Sequence, residues 1–101
     1  MFSVSKNAEI TVLNVKGKLT FETAGEFHRT ILEALDDGSP LEIHLNDMEQ
    51  FDLSGVQLLL SVCRSTENVT VIPGKNESRL IEMLKFTGIL LPGCIPKGMM
   101  A

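Results

Sequence analysis

The chain has 101 residues, 44% of them apolar, and a formal net charge of −4. That length suits one compact domain, and the acidic balance argues against a nucleic-acid groove or an anionic membrane surface, both of which need basic patches. No apolar run is long enough to cross a bilayer. No basic stretch followed by an apolar core opens the chain as a secretion signal does, so a cytoplasmic protein is expected. Cys63 and Cys94 are far apart, with neither metal-like spacing nor a disulfide framework. They read as two reduced thiols, with Cys63 on a buried helix face.

In chain order, Phe2-Ser3-Val4 reads as a short strand paired with a second strand over residues 9–15, which is rich in β-branched side chains. Gly17 and Lys18 break that run. Residues 23–35 place Ala24, Phe27, Ile31, Leu32 and Leu35 on one helical face. Thr23 is the expected N-cap, completed by Glu26 as a capping box. Asp36-Asp37-Gly38-Ser39-Pro40 stops the helix. Over residues 41–46, Leu41, Ile43 and Leu45 alternate with Glu42, His44 and Asn46, the pattern of a strand with one covered face and one wet face.

A second helix is expected over residues 54–65, with Val56, Leu59, Leu60 and Cys63 inward, then a strand over residues 69–72 ended by Pro73-Gly74. Strand, helix and strand in this order make a parallel crossover. Residues 78–87 read as a third helix with Leu80, Ile81, Met83 and Leu84 inward, stopped by Gly88. The tail, residues 91–101, is too rich in Pro and Gly to be regular. The sum is a single α/β domain spanning residues 1–101, its body at about 2–90. A mixed sheet of four to five strands carries helices packed against it. Its main core draws on Ile10, Val12, Phe27, Ile31, Leu41, Ile43, Leu45, Leu59, Leu60, Val71 and Leu84.

Few residues offer chemistry. His28 and His44 have no Cys, Asp or Glu at ligand spacing, so neither a metal nor a cofactor is expected. There is no nucleophile elbow, no phosphate-binding loop and no dinucleotide fingerprint, so no catalytic residue, enzyme activity or small-molecule substrate is expected. The exception is Phe51-Asp52-Leu53-Ser54-Gly55-Val56-Gln57-Leu58, where a polar turn meets an apolar helical run. Ser54-Gly55-Val56-Gln57 fits a capping box with Ser54 as N-cap, worth on the order of 1 kcal/mol. A hydroxyl at an exposed helix start is also a place for a kinase to act. Phe51, just before it, reads as a hydrophobic staple or core residue in preference to an exposed partner anchor.

From Leu41 to Leu60 the chain resembles a STAS domain, the family of bacterial anti-sigma-factor antagonists. That family's signature is a strand, a short turn, then Asp-Ser/Thr-Ser/Thr-Gly opening an apolar helix. Here the element stands as Asp52-Leu53-Ser54-Gly55. Gly17-Lys18-Leu19-Thr20 resembles the family's early turn. Val69-Thr70-Val71-Ile72-Pro73 and Phe86-Thr87-Gly88-Ile89 resemble its later strand and last helix. The likeness covers roughly residues 2–95.

The resemblance implies a non-enzymatic regulator that binds an anti-sigma factor with serine kinase activity and is switched by phosphorylation. It carries the phosphorylation role to Ser54 and the acidic position to Asp52. The first hydroxyl of the signature is absent, because Leu53 stands there, which leaves a single candidate. The implied partner surface is Asp52, Leu53, Ser54, Gly55 and Gln57. Two other roles within the resemblance stay open: the STAS subunit of a lipid-transport ABC ATPase complex, and an unmodified scaffold domain in a signalling assembly. Neither requires direct nucleic-acid binding or membrane insertion.

Overall fold

A computed structural model describes residues 2–6, 9–36, 38–65 and 68–87. Its centre is a four-stranded mixed sheet. Strand β1 (Phe2–Lys6) runs antiparallel to β2 (Thr11–Val15), while β4 (Leu41–His44) lies parallel to both β2 and β6 (Val69–Ile72), giving the order β1-β2-β4-β6. Strands β3 (Gly17–Leu19) and β5 (Met48–Phe51) form a separate two-stranded parallel sheet. Helices α1 (Ala24–Ala34), α2 (Leu53–Ser65) and α3 (Glu77–Thr87) complete the fold. Short 3-10 turns over Phe21–Thr23 and Gly74–Asn76 lead into α1 and α3.

The expected α/β class holds, as does the parallel crossover: β4 pairs with β6, and α2 lies between them in sequence. Alternation along the strands buries Leu13 and Val15, Leu41, Ile43 and Leu45, and Val69 and Val71. Leu13, Ile43 and Val71 stand in one cross-strand row. Opposite them, Phe27 and Ile31 from α1 and Val56, Leu59, Leu60 and Val62 from α2 close the core. Phe27 is fully buried, worth about 1.5–3 kcal/mol. The Phe2 ring of β1 meets it edge-on at 5.3 Å between centroids. The reverse face of the sheet carries Asn14, Glu42, His44 and Thr70, with a 2.9 Å contact between His44 Nε2 and Glu42 Oε1.

Several expectations need correction. Ile10 and Val12 are only half-buried, because Thr11, Leu13 and Val15 face inward instead. The parallel register sets this phase: Leu13 stands opposite Ile43, and the Thr11 N–H donates to the Pro40 carbonyl at 2.8 Å. Leu32 is 58% exposed, and Ala34 takes an inward place on α1. Thr23 stands at the N-cap of α1 as expected, but it makes no side-chain cap bond and no box with Glu26; its Oγ1 instead accepts the Thr20 N–H at 3.0 Å in the preceding 3-10 turn. Leu80 is buried and Ile81 and Met83 half-buried, whereas the Leu84 side chain, Gly88 and the tail lie outside the described residues. Cys63 is not a reduced thiol; it is disulfide-bonded, and the chain's other cysteine, Cys94, lies outside the described residues.

The small sheet has no counterpart in the sequence reading, yet it positions the site. Gly17, read there as a break, turns the chain between β2 and β3 at φ 85°, a conformation that a Cβ opposes. Its N–H donates to the Asp47 carbonyl at 3.2 Å. The other end of β5 delivers the chain directly to Asp52 and α2.

Candidate functional site at the start of α2

Asp52 is the residue that starts α2. Its Oδ1 accepts the N–H of Gly55 at 2.9 Å, the bond an N-cap makes to the third helical residue. Its backbone carbonyl accepts the Val56 N–H at 3.1 Å, the first turn of the helix. The Ser54 cap is therefore corrected. Leu53 is already helical and Ser54 is the second helical residue. Asp is as strong an N-cap as Ser, so two nearby candidates competed, and the carboxylate two residues upstream took the position.

The same carboxylate makes a second attachment. Its Oδ2 accepts the Phe21 N–H at 3.1 Å, tying the 3-10 turn before α1 to the start of α2. The Asp52 N–H approaches the Leu19 carbonyl at 3.4 Å, so β3 also reaches this corner. The Gly55 N–H holds the Asp52 carboxyl below its ordinary range; slight desolvation works against this, and the Phe21, Ser54 and Asp52 amides reinforce it. A group that stabilises its ion through several amides stays charged at neutral pH.

Around this anchor, Leu53 is 41% exposed and Phe21 77% exposed. Ser54 is half-buried and Gln57 exposed. The capping bond is made by Asp52, and among the described residues the Ser54 hydroxyl has no hydrogen bond. Gly55, expected on the partner surface, is buried instead. A Cβ there would overlap the Leu19 carbonyl oxygen and come within 2.8 Å of its carbon, so Gly55 serves close backbone packing and presents nothing outward.

Support for β5, and so for Asp52, comes from residues the sequence reading passed over. Asn76 is 2% exposed, and its amide donates to the Leu45 carbonyl at 2.6 Å and to the Met48 carbonyl at 2.9 Å. Its Oδ1 accepts from Arg79 Nη1 at 3.0 Å, and the Arg79 guanidinium lies 4.9 Å from the centroid of the Phe51 ring. Phe51 is half-buried against the core rather than an exposed anchor. A Pro-Gly turn followed by Asn just before a helix was the available signal, since Asn at such a place bonds main-chain groups. His28 lies exposed on α1, and His44 lies on the reverse sheet face. Among the described residues no group of three or more His, Cys, Asp or Glu side chains is arranged to hold a metal. No helix of the described residues is long and apolar enough to cross a membrane.

Comparison with known proteins agrees with this architecture. A family model, STAS_2, described as "Mlab, STAS domain", matches residues 2–89. No curated protein sequence matches. Among solved structures, an anti-sigma factor antagonist from Mycobacterium paratuberculosis superposes with a TM-score of 0.68 at 20% identity, covering 92% of this chain and 85% of that one. The anti-sigma factor antagonist SpoIIAA in its unphosphorylated form gives 0.63 at 19% identity, covering 83% of each chain. Bacillus SpoIIAA in its phosphorylated form gives 0.63 at 20% identity, covering 88% of this chain and 85% of that one. At these identities the likeness establishes a shared fold.

Proposed function

We propose, from the premise that this chain belongs to the STAS domain family, that it is a non-enzymatic protein-binding regulator of the anti-sigma-factor-antagonist type. It binds an anti-sigma factor with serine kinase activity, and phosphorylation of Ser54 switches that binding. The observation that carries this reading is the division of labour at the start of α2. Asp52 caps the helix, which leaves the Ser54 hydroxyl unengaged beside the exposed Leu53 and Gln57. A phosphate there adds about −1.5 to −2 charges. The positive end of the helix tolerates that charge, so the helix persists and the effect falls on a partner's surface. A tenfold to hundredfold loss of affinity needs only about 1.4–2.8 kcal/mol.

A second reading is the STAS subunit of a lipid-transport ABC ATPase complex. It is favoured by the matching family's own description, which names Mlab and no antagonist, and by Leu53, which puts an apolar side chain where the antagonists carry a first hydroxyl.

Affinity capture of the full chain from its native cell, with intact-mass analysis, separates the two. A co-purifying kinase-type anti-sigma factor, a Ser54-phosphorylated species, and weakened binding by Ser54→Asp support the antagonist. An ABC ATPase and permease in the eluate, with no phosphorylated chain under any growth condition, would overturn it.

A further inference from the structure

Asp52 joins two segments through one carboxylate. Oδ1 is committed to the Gly55 amide of α2 and Oδ2 to the Phe21 amide of the 3-10 turn. Ser54 lies two residues from it, and its own amide also faces that carboxylate. Phe21 is the most exposed large apolar side chain among the described residues, at 77%. Three further bonds fix its turn: Thr23 N–H to the Thr20 carbonyl at 3.1 Å, Thr20 N–H to Thr23 Oγ1 at 3.0 Å, and Thr23 Oγ1–H to the Lys18 carbonyl at 3.1 Å. A large apolar ring held outward on a constrained backbone is presented at low entropic cost, the property of an interface anchor.

We infer that Asp52 is a positioning residue that transmits the charge state of residue 54 to Phe21, so that a phosphate on Ser54 loosens the turn presenting that ring. The inference rests on the reading of Ser54 as a phosphorylation site and adds a second responding element, on a different segment, to the same surface. A phosphate on the second helical residue is an anion within reach of the amides that Asp52 now occupies. Two anions converging on one set of N–H donors repel, and the dianion is the stronger acceptor. Asp52 gives way, and the bond it loses most readily is the one leaving the helix, from Phe21 N–H to Oδ2. The helix keeps a capping anion throughout. The rest of the turn keeps its Thr20 and Thr23 bonds, so the change is local to Phe21.

The test is amide hydrogen exchange followed by NMR on the full chain, prepared with serine or with phosphoserine at position 54. Phosphoserine should speed exchange of the Phe21 amide about tenfold or more, the effect of losing one hydrogen bond to a carboxylate. The Ile43 and Val71 amides should keep their rates. In Asp52→Ala the Phe21 amide should exchange fast with either residue at position 54. Should Asp52→Ala not fold, Asp52→Asn, which keeps a capping oxygen but not the charge, replaces it; there phosphoserine should move the Phe21 rate less than in the wild-type chain. An unchanged Phe21 rate on phosphorylation overturns the inference, and so does a full acceleration in either Asp52 variant. Neither result bears on whether a partner distinguishes the two forms, which the binding experiment reads separately.

Discussion

Replacing Gly55 with Ala is the sharpest probe of how the site is built. In a helix the change is ordinarily favourable by about 0.8–1.0 kcal/mol, because Ala loses less backbone freedom. Here the new Cβ would overlap the backbone oxygen of Leu19, with the Leu19 carbon 2.8 Å away and Cγ at 3.0 Å. Leu19 is fully buried in β3 and paired with Phe51, so it cannot swing aside as a flexible side chain would. Relief must come from displacing the first turn of α2, which strains the Gly55–Asp52 cap at the same time. Overpacking of this kind costs about 1–3 kcal/mol and a weakened cap about 1 kcal/mol more, against which the propensity gain is the smaller quantity. A net loss of roughly 1–3 kcal/mol is expected, at about 4–8 °C in Tm per kcal/mol for a domain of this size. Gly25 is the matched control. It lies in the first turn of α1, and nothing comes within 4 Å of a Cβ built there. Gly25→Ala should raise Tm, while Gly55→Ala lowers it, in parallel thermal and urea denaturation. A Gly55→Ala chain as stable as wild type would refute the close approach of α2 to β3 and the geometry of the site with it.

Ser54→Ala should leave unfolding free energy within about 0.5 kcal/mol of wild type in urea titration, because Asp52 makes the cap; a loss of 1 kcal/mol or more would return that duty to Ser54. Asp52 has a folded-state pKa below its ordinary 3.8, so its stabilising contribution is present above that value and disappears as pH falls through the folded one. Asp52→Asn should therefore lose less stability than wild type between about pH 5 and pH 2, measured by urea midpoints across that range. Asn76→Ala removes the amide bonds to the Leu45 and Met48 carbonyls and the Asn76 acceptor of Arg79, while the Leu45 carbonyl keeps the Met48 N–H and Arg79 keeps the Glu49 carbonyl, and should cost roughly 1–3 kcal/mol by equilibrium unfolding; a near-neutral result would mean that β5 is held by other means.

The four-stranded sheet and the helices were legible because their signals are local. Leu41-Glu42-Ile43-His44 alternates within four residues, and the stripe of Val56, Leu59, Leu60 and Cys63 repeats at helical spacing. The second strand was read in the wrong phase because Ile10, Val12, Leu13 and Val15 are apolar on both parities. Asn14 held the answer, since its parity had to face water. Strands β3 and β5 were not legible at all. They run three and four residues, with one shift in register, and each is a strand only because the other is beside it. At the start of α2 the residue pattern assigns the cap to Ser54, and the structure gives it to Asp52. The cap sits two residues before Ser54, at Asp52, whose carboxylate also takes the amide of a distant segment, Phe21, and no window around residue 54 contains that contact.

Among the described residues the core lies on one face of the main sheet, and this bears on how far such chains can diverge. In β2, β4 and β6 every second residue is buried in the core, while its neighbours at 12, 14, 42, 44, 70 and 72 are half-buried or exposed and are held less tightly to a size and a polarity. Substitutions can accumulate there without touching the helices or the Asp52 corner, and chains can keep this architecture while agreeing at only 20% of their positions.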